Sequence, residues 1–295
     1  MEKLGRDDEL IVDESSLKSF SLLCQGNFSY VCLMKDSKSR RCAKKSSPMQ
    51  HKQILEKELR IMHRFRDHHR IVQASNKFHI QIKPSECYIY MEYASEGNLH
   101  KFISGLEGKS VPESLVQRTA RMILEGLEAL HSHGYVHCNL RPSNVLLFPS
   151  KTPGEPWDLK LADFGSSKEP DSDYGWMYFG TAPKYMPIES FGPKGVIIDP
   201  SLDIYALGCV VYEMLGAIPI QDYFDEYYEW NLRRHISPEA RDFLSRCSNM
   251  HPHRPTAAYL LNHPFITQIL PSPTTEDNKE ISRSLIPSFS KLLLA

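Results

Sequence analysis

The chain has 295 residues, 41% of them hydrophobic and 24% charged, with a formal net charge of −1. That length can bury a large core and suits one large domain or two close lobes, and the balanced charge argues against the broad basic footprint of a nucleic-acid or anionic-membrane binder. Seven cysteines, at 24, 32, 42, 87, 138, 209 and 247, are scattered, odd in number and without a CxxC pair, which fits a reducing cytoplasmic or nuclear setting rather than a disulfide framework or a zinc ribbon.

Residues 1 to 16 read as an acidic, flexible tail without the basic and apolar regions of a signal peptide, and Glu2 excludes N-myristoylation. No run of 18 apolar residues follows, so no membrane span is expected. From Leu22 to Lys45, β-type stretches alternate with the turns "QGN" and "KDSKSR", as in a small antiparallel sheet. "QHKQILEKELRIMHRF" then sets Ile54, Leu55, Glu58, Ile61, Met62 and Phe65 at helical spacing, and "ECYIYMEYA" returns to strand chemistry. After "EGN" the pattern becomes helical: Val116, Ala120, Ile123, Leu124, Leu127 and Leu130 share one face of a helix that stops at Gly134. "DIYALGCVVYEML" is apolar almost all round, as a buried helix is, and Ser237 is placed to cap a helix that opens with Pro238. "DYFDEYYEW" (222 to 230) reads as an exposed helix with a buried aromatic edge, or else as a dock for a basic partner. "HRFRDHHR" (63 to 70) reads as a solvated loop, and the segment from 270 to 295 is Pro/Thr/acid-rich and expected to be disordered.

This succession of strands, one helix, a breaker and further helices resembles the protein kinase fold, and motifs in the matching order support it from residue 17 to 269. The resemblance implies an α+β, bilobal architecture: a small antiparallel-sheet N-lobe with one helix (17–94) and a larger helical C-lobe (95–269). In "LCQGNFSYV" only Gly26 survives of the glycine-rich phosphate loop, with Cys24 and Ser29 at glycine positions and Phe28 and Val31 matching the tip and the adenine cover. A plain β-hairpin fits that segment equally well. "CAKK" resembles the strand that carries the phosphate-binding lysine, with Ala43 against adenine, Lys45 for the α and β phosphates and Glu58 as its partner on the helix. In "YIYMEYA", Met91 resembles the gatekeeper, and the backbones of Glu92 and Ala94 are expected at the adenine edge.

"HCNLRPSN" matches the catalytic loop at His137, Leu140, Pro142 and Asn144, the last implied as a magnesium ligand, with Leu146 as the floor of the adenine pocket. Cys138 replaces the arginine that would clasp a phosphorylated activation loop, Arg141 replaces the phosphate-bridging lysine, and Asn139 replaces the catalytic aspartate. "LKLADFG" supplies Asp163 as the second metal ligand. "GTAPKYMPIE" resembles the end of the activation segment with one extra residue near Ala182 and with Ile188 for a proline; Thr181 marks a serine/threonine type. Glu189 is expected to pair with Arg254, and Asp203 to hold the backbone around His137. "VHCNLRPSNVLLFP", "DIYALGCVVYEM" and "LLNHPFI" together resemble plant MAP kinase kinase kinases.

An amide cannot accept a proton near pH 7, and general base catalysis contributes roughly 10² to 10⁴ in rate, about 3 to 5 kcal/mol of barrier. With Lys45, Glu58, Asn144 and Asp163 retained, the expectation is a protein that binds ATP and Mg2+ within a kinase cascade but is strongly impaired in phosphotransfer. A slow serine/threonine kinase and a nucleotide-independent scaffold are the alternatives.

Overall fold

The computed structural model describes residues 14–81, 85–152, 155–172, 182–191, 198–221, 228–231 and 235–268. The chain divides into two compact units, one running to Ser95 and including Asp163–Gly165, the other made of Glu96–Ala162 and the chain from Ser166 onward.

The first unit is built on a five-stranded antiparallel sheet. Its strands are β1 (Lys18–Gln25), β2 (Tyr30–Lys35), β3 (Arg41–Pro48), β4 (His79–Gln81) and β5 (Glu86–Glu92), in the order β1-β2-β3-β5-β4. Alternation along each strand gives the sheet two chemically distinct faces. In register, Cys24 lies beside Val31, Val31 beside Lys45 and Lys45 beside Ile89, while Leu33, Ala43 and Met91 form the next row of the same face. The opposite face buries Met34, Cys42 and Tyr90, with Leu17, Cys32 and Tyr88 packed against them. The helix α1 (Lys52–Arg64) buries Leu55, Glu58, Leu59, Ile61 and Met62, the spacing that one helical stripe requires. The short edge strand β4 has no counterpart in the sequence reading: three residues are too few to show an alternation.

The second unit is mainly helical. It contains α2 (Leu99–Gly105), α3 (Glu113–Ser132), α4 (Pro200–Met214), α5 (Pro238–Ser248), α6 (Ala257–Leu260) and α7 (Pro264–Thr267), with the hairpins β6 (Val145–Phe148)/β7 (Asp158–Leu161) and β8 (Ile218–Gln221)/β9 (Tyr228–Asn231). All six apolar residues of the α3 stripe are fully buried, each worth roughly 1.5–3 kcal/mol for the larger side chains. Past α3, Gly134 turns the chain at φ 77°, a conformation that glycine takes without a Cβ penalty. Ser237 caps α5 by accepting from the Ala240 N–H, and Asp199 caps α4 by accepting from Ser201. A Cβ at Gly208 would stand 2.8 Å from Cys247 Cβ, so α4 and α5 pack too closely for any larger residue there.

Tyr228–Asn231 pairs with Ile218–Gln221 as a strand, which corrects the helical reading of that stretch. Its aromatic residues suit a ladder, and the acidic residues that suggested an exposed helix face gave no information on period. Residues 222–227 lie outside the described set, as do Thr181, residues 1–13 and the expected tail at 270–295. Glu14–Ser16, at the end of the expected N-terminal tail, form a 3-10 turn.

Candidate active site

In the first unit, the register of β3 and the stripe of α1 bring two charged residues together. Lys45 and Glu58 face one another with Nζ 2.6 Å from Oε2, and the same Nζ lies 2.7 Å from Asp163 Oδ1. The lysine and glutamate side chains are almost wholly buried, while that of Asp163 is 37% exposed. Burial disfavours the Lys45 ammonium, but Asp163 and Glu58 outweigh it and hold its pKa above the ordinary lysine range. Burial also lifts the Glu58 carboxyl; Lys45 pulls it down and the Asp163 charge pushes it up.

Asp163 sits at φ 68°, in the left-handed region that Asp tolerates better than most residues. Phe164 is fully buried, and its backbone N–H donates to Glu58. A Cβ on Gly165 would stand 2.9 Å from Ile54 Cγ2, so glycine is needed there for α1 to approach. Cys24 shares the face of Lys45 and is exposed. Ala43 and Met91 are buried neighbours on that face. Ala94 follows β5 and is partly exposed. The Glu92 N–H donates to the Gln73 carbonyl at 3.0 Å, which takes that group out of any nucleotide contact.

In the second unit, the loop from His137 to Asn144 is organised by Asp203 of α4. One carboxylate oxygen accepts from the His137 N–H (2.7 Å) and lies 2.9 Å from His131 Nε2, and the other accepts from the Cys138 N–H (2.9 Å). Cys138 takes φ 59°, so that two successive amides point at one carboxylate. His137 Nδ1 accepts from the Asn139 N–H at 3.2 Å, which makes Nε2 the donor toward the Ala162 carbonyl. Asn144 donates through Nδ2 to the Asn139 carbonyl at 2.7 Å, fixing the side-chain amide, and its own carbonyl accepts from the Ala162 N–H. Asn139 is 5% exposed. Arg141 Nε is buried without a hydrogen-bond partner among the described residues. Leu146 lies on β6 and forms an antiparallel bridge with Asn98. Arg254 reaches Glu189 and lies over the Tyr205 ring, 5.1 Å from its centroid.

Three features escaped the sequence reading. His131, in "HSHG", joins the Asp203 carboxylate, a role that its distance in sequence from Asp203 conceals. Ser167 is fully buried and donates to the His137 carbonyl at 2.9 Å, so it tethers the loop rather than offering an exposed hydroxyl. Ser47 bonds the tip of the β1–β2 turn, as developed below.

The protein kinase domain model matches residues 17–266. The chain belongs to the protein kinase family. Among curated relatives, the mitogen-activated protein kinase kinase kinase YODA of Arabidopsis thaliana is 29% identical over 90% of this chain, and mitogen-activated protein kinase kinase kinase 5 of the same plant is 30% identical over 84%. Mitogen-activated protein kinase kinase kinase 4 of Homo sapiens is 31% identical over 80%. The chain spans 31%, 34% and 15% of the length of these three relatives. The five-stranded antiparallel sheet and the helical second unit are those of the family's fold, and the chain resembles the plant members. Among the described residues no helix is long and apolar enough to cross a membrane.

Proposed function

We propose that the chain is a nucleotide-binding signalling protein of the serine/threonine, MAP kinase kinase kinase-like type, impaired in phosphotransfer. The observation that carries the impairment is Asn139: a buried amide, its backbone N–H held by the His137 ring, occupies the position where the family places its base. An amide can orient a substrate hydroxyl but cannot take its proton.

The residues fit ATP and Mg2+. Lys45 would hold the phosphates, Glu58 keeps the ammonium aimed, and Cys24, Gly26, Val31, Ala43, Met91, Glu92, Ala94 and Leu146 would surround the nucleotide. Asp163 and Asn144 would hold the metal, which supplies charge neutralisation on the phosphates when bound. Magnesium commonly takes one or two carboxylates and completes its octahedron from phosphates and water. Arg141, whose buried Nε has no partner among the described residues, supports an anion near the catalytic loop. The retained ion cluster also favours a second reading, a slow kinase that works by positioning alone. Both readings place the protein in a phosphorylation cascade, with protein partners or substrates.

The test pairs a melting-temperature titration with a transfer assay. Mg-ATP should raise the melting temperature and EDTA should reduce that rise, since a ligand that binds only the folded state stabilises it. Transfer to a basic protein substrate should fall far below the roughly 1–100 s⁻¹ of active kinases. A rate within that range would overturn the impairment, and an unchanged melting temperature at millimolar Mg-ATP would overturn the nucleotide reading.

A further inference from the structure

The turn between β1 and β2 has lost two of the glycines that would make it pliant, and the structure shows what holds it instead. Its tip is closed by the Gly26 N–H donating to the Ser29 carbonyl at 2.8 Å. The Phe28 carbonyl accepts a 2.6 Å bond from Ser47 Oγ. Ser47 is 2% exposed and lies two residues beyond Lys45, on the same face of β3. Its own carbonyl accepts from Cys87 Sγ on β5, so the anchor itself is fixed in the sheet. The Phe28 ring meets the His51 ring edge-on at 4.8 Å, just before α1. Tyr30, at the start of β2, donates to Glu86 at 2.6 Å. The turn borders an open depression of about 260 Å³ bounded by residues 25 to 30, Pro48, Ser85 and Glu86.

We propose that Ser47 is a positioning residue that latches the β1–β2 lid, its buried hydroxyl holding the Phe28 carbonyl and so setting how fast nucleotide enters and leaves. The proposal rests on the nucleotide reading for its consequence but not for the latch itself. An ordinary surface turn has its carbonyls in water. Here one carbonyl is bonded to a strand that also carries the phosphate lysine, so lid and lysine share a rigid support.

The experiment measures amide hydrogen exchange across residues 25–31 in the nucleotide-free chain, together with the dissociation rate of a fluorescent ATP analogue, for wild type, Ser47→Ala and Ser47→Thr. Loss of one hydrogen bond corresponds to roughly threefold to tenfold faster exchange, confined to the lid, and a comparable gain in dissociation rate. Ser47→Thr retains the hydroxyl and should exchange like wild type. Unchanged lid exchange in Ser47→Ala, or a rise spread over the whole sheet, would overturn the latch. Faster lid exchange in a chain that binds no analogue would leave the latch standing and sink the nucleotide reading alone.

Discussion

Around Lys45, position is enforced by charge: a buried ammonium is gripped by two carboxylates, both within 2.7 Å. Around Asn139, position is enforced by backbone: amide hydrogens converge on Asp203 and on the His137 ring, and no side-chain charge of the loop takes part. The difference bears on what each region can lose. Removing a charge from the first unbalances a buried cluster, where an unpaired ion is costly. Exchanging the side chain at 139 leaves the backbone bonds of the second intact, so chemistry can change there while shape persists.

The comparison is broken most severely at Asp203. Asp203→Ala would orphan the His137 and Cys138 amides and the His131 ring together, and a loss of about 3–5 kcal/mol is expected in urea unfolding. An effect below about 1 kcal/mol would show that the loop does not depend on this carboxylate. Asn139→Asp is the sharpest chemical test. It should raise phosphotransfer by roughly 10², about 2.7 kcal/mol, while Asn139→Asp combined with Asp163→Ala should not. Labelled ATP with a generic basic substrate measures this, and equal rates in wild type and Asn139→Asp would mean that the wild type works by another route.

Gly165→Ala should cost about 1–3 kcal/mol, because the new methyl meets Ile54 on α1. Chemical denaturation checks it, and a smaller methyl contact in the double variant with Ile54→Ala should recover part of the loss.

The smallest effect is expected at Asp199. Burial raises its carboxyl, but hydrogen bonds from Ser201 and the neighbouring His251 outweigh this and hold it below the ordinary carboxylate range. A depressed folded-state pKa gives stability that is present above the unfolded value, about 3.9, and is lost as pH falls through the folded value. Asp199→Ala should therefore cost about 1 kcal/mol at neutral pH. That difference should shrink below about pH 4, as melting temperatures across the acid range would show.

Much of this was legible in the sequence because it was written in short periods. The α3 stripe from Val116 to Leu130, the apolar α4 and the Ser237 cap each follow from spacing over a few residues, whereas the strand face of Ala43 and Lys45 came through resemblance. The Lys45–Glu58 pair was foreseen only through resemblance, since the two residues share no local pattern, and the contact of Lys45 with Asp163 was not foreseen. What stayed hidden was long-range and carried by common residue types. A serine that bonds a carbonyl 19 residues away, as Ser47 does, looks in sequence like any other strand serine. The end of "DYFDEYYEW", residues 228 to 230, was read as helix and is strand, because aromatic and acidic residues mixed over nine positions fit either period.

The left-handed turn at Cys138 carries one more consequence, for descent rather than for mechanism. The groups that shape this loop are main-chain N–H donors, which every amino acid except proline possesses. The side chain at 139 takes no part in those bonds, so a single base change in its codon, which converts amide to carboxylate, leaves the main-chain frame of the loop in place. A lineage built on this loop can abandon or recover a proton acceptor without redrawing the main-chain bonds that shape it.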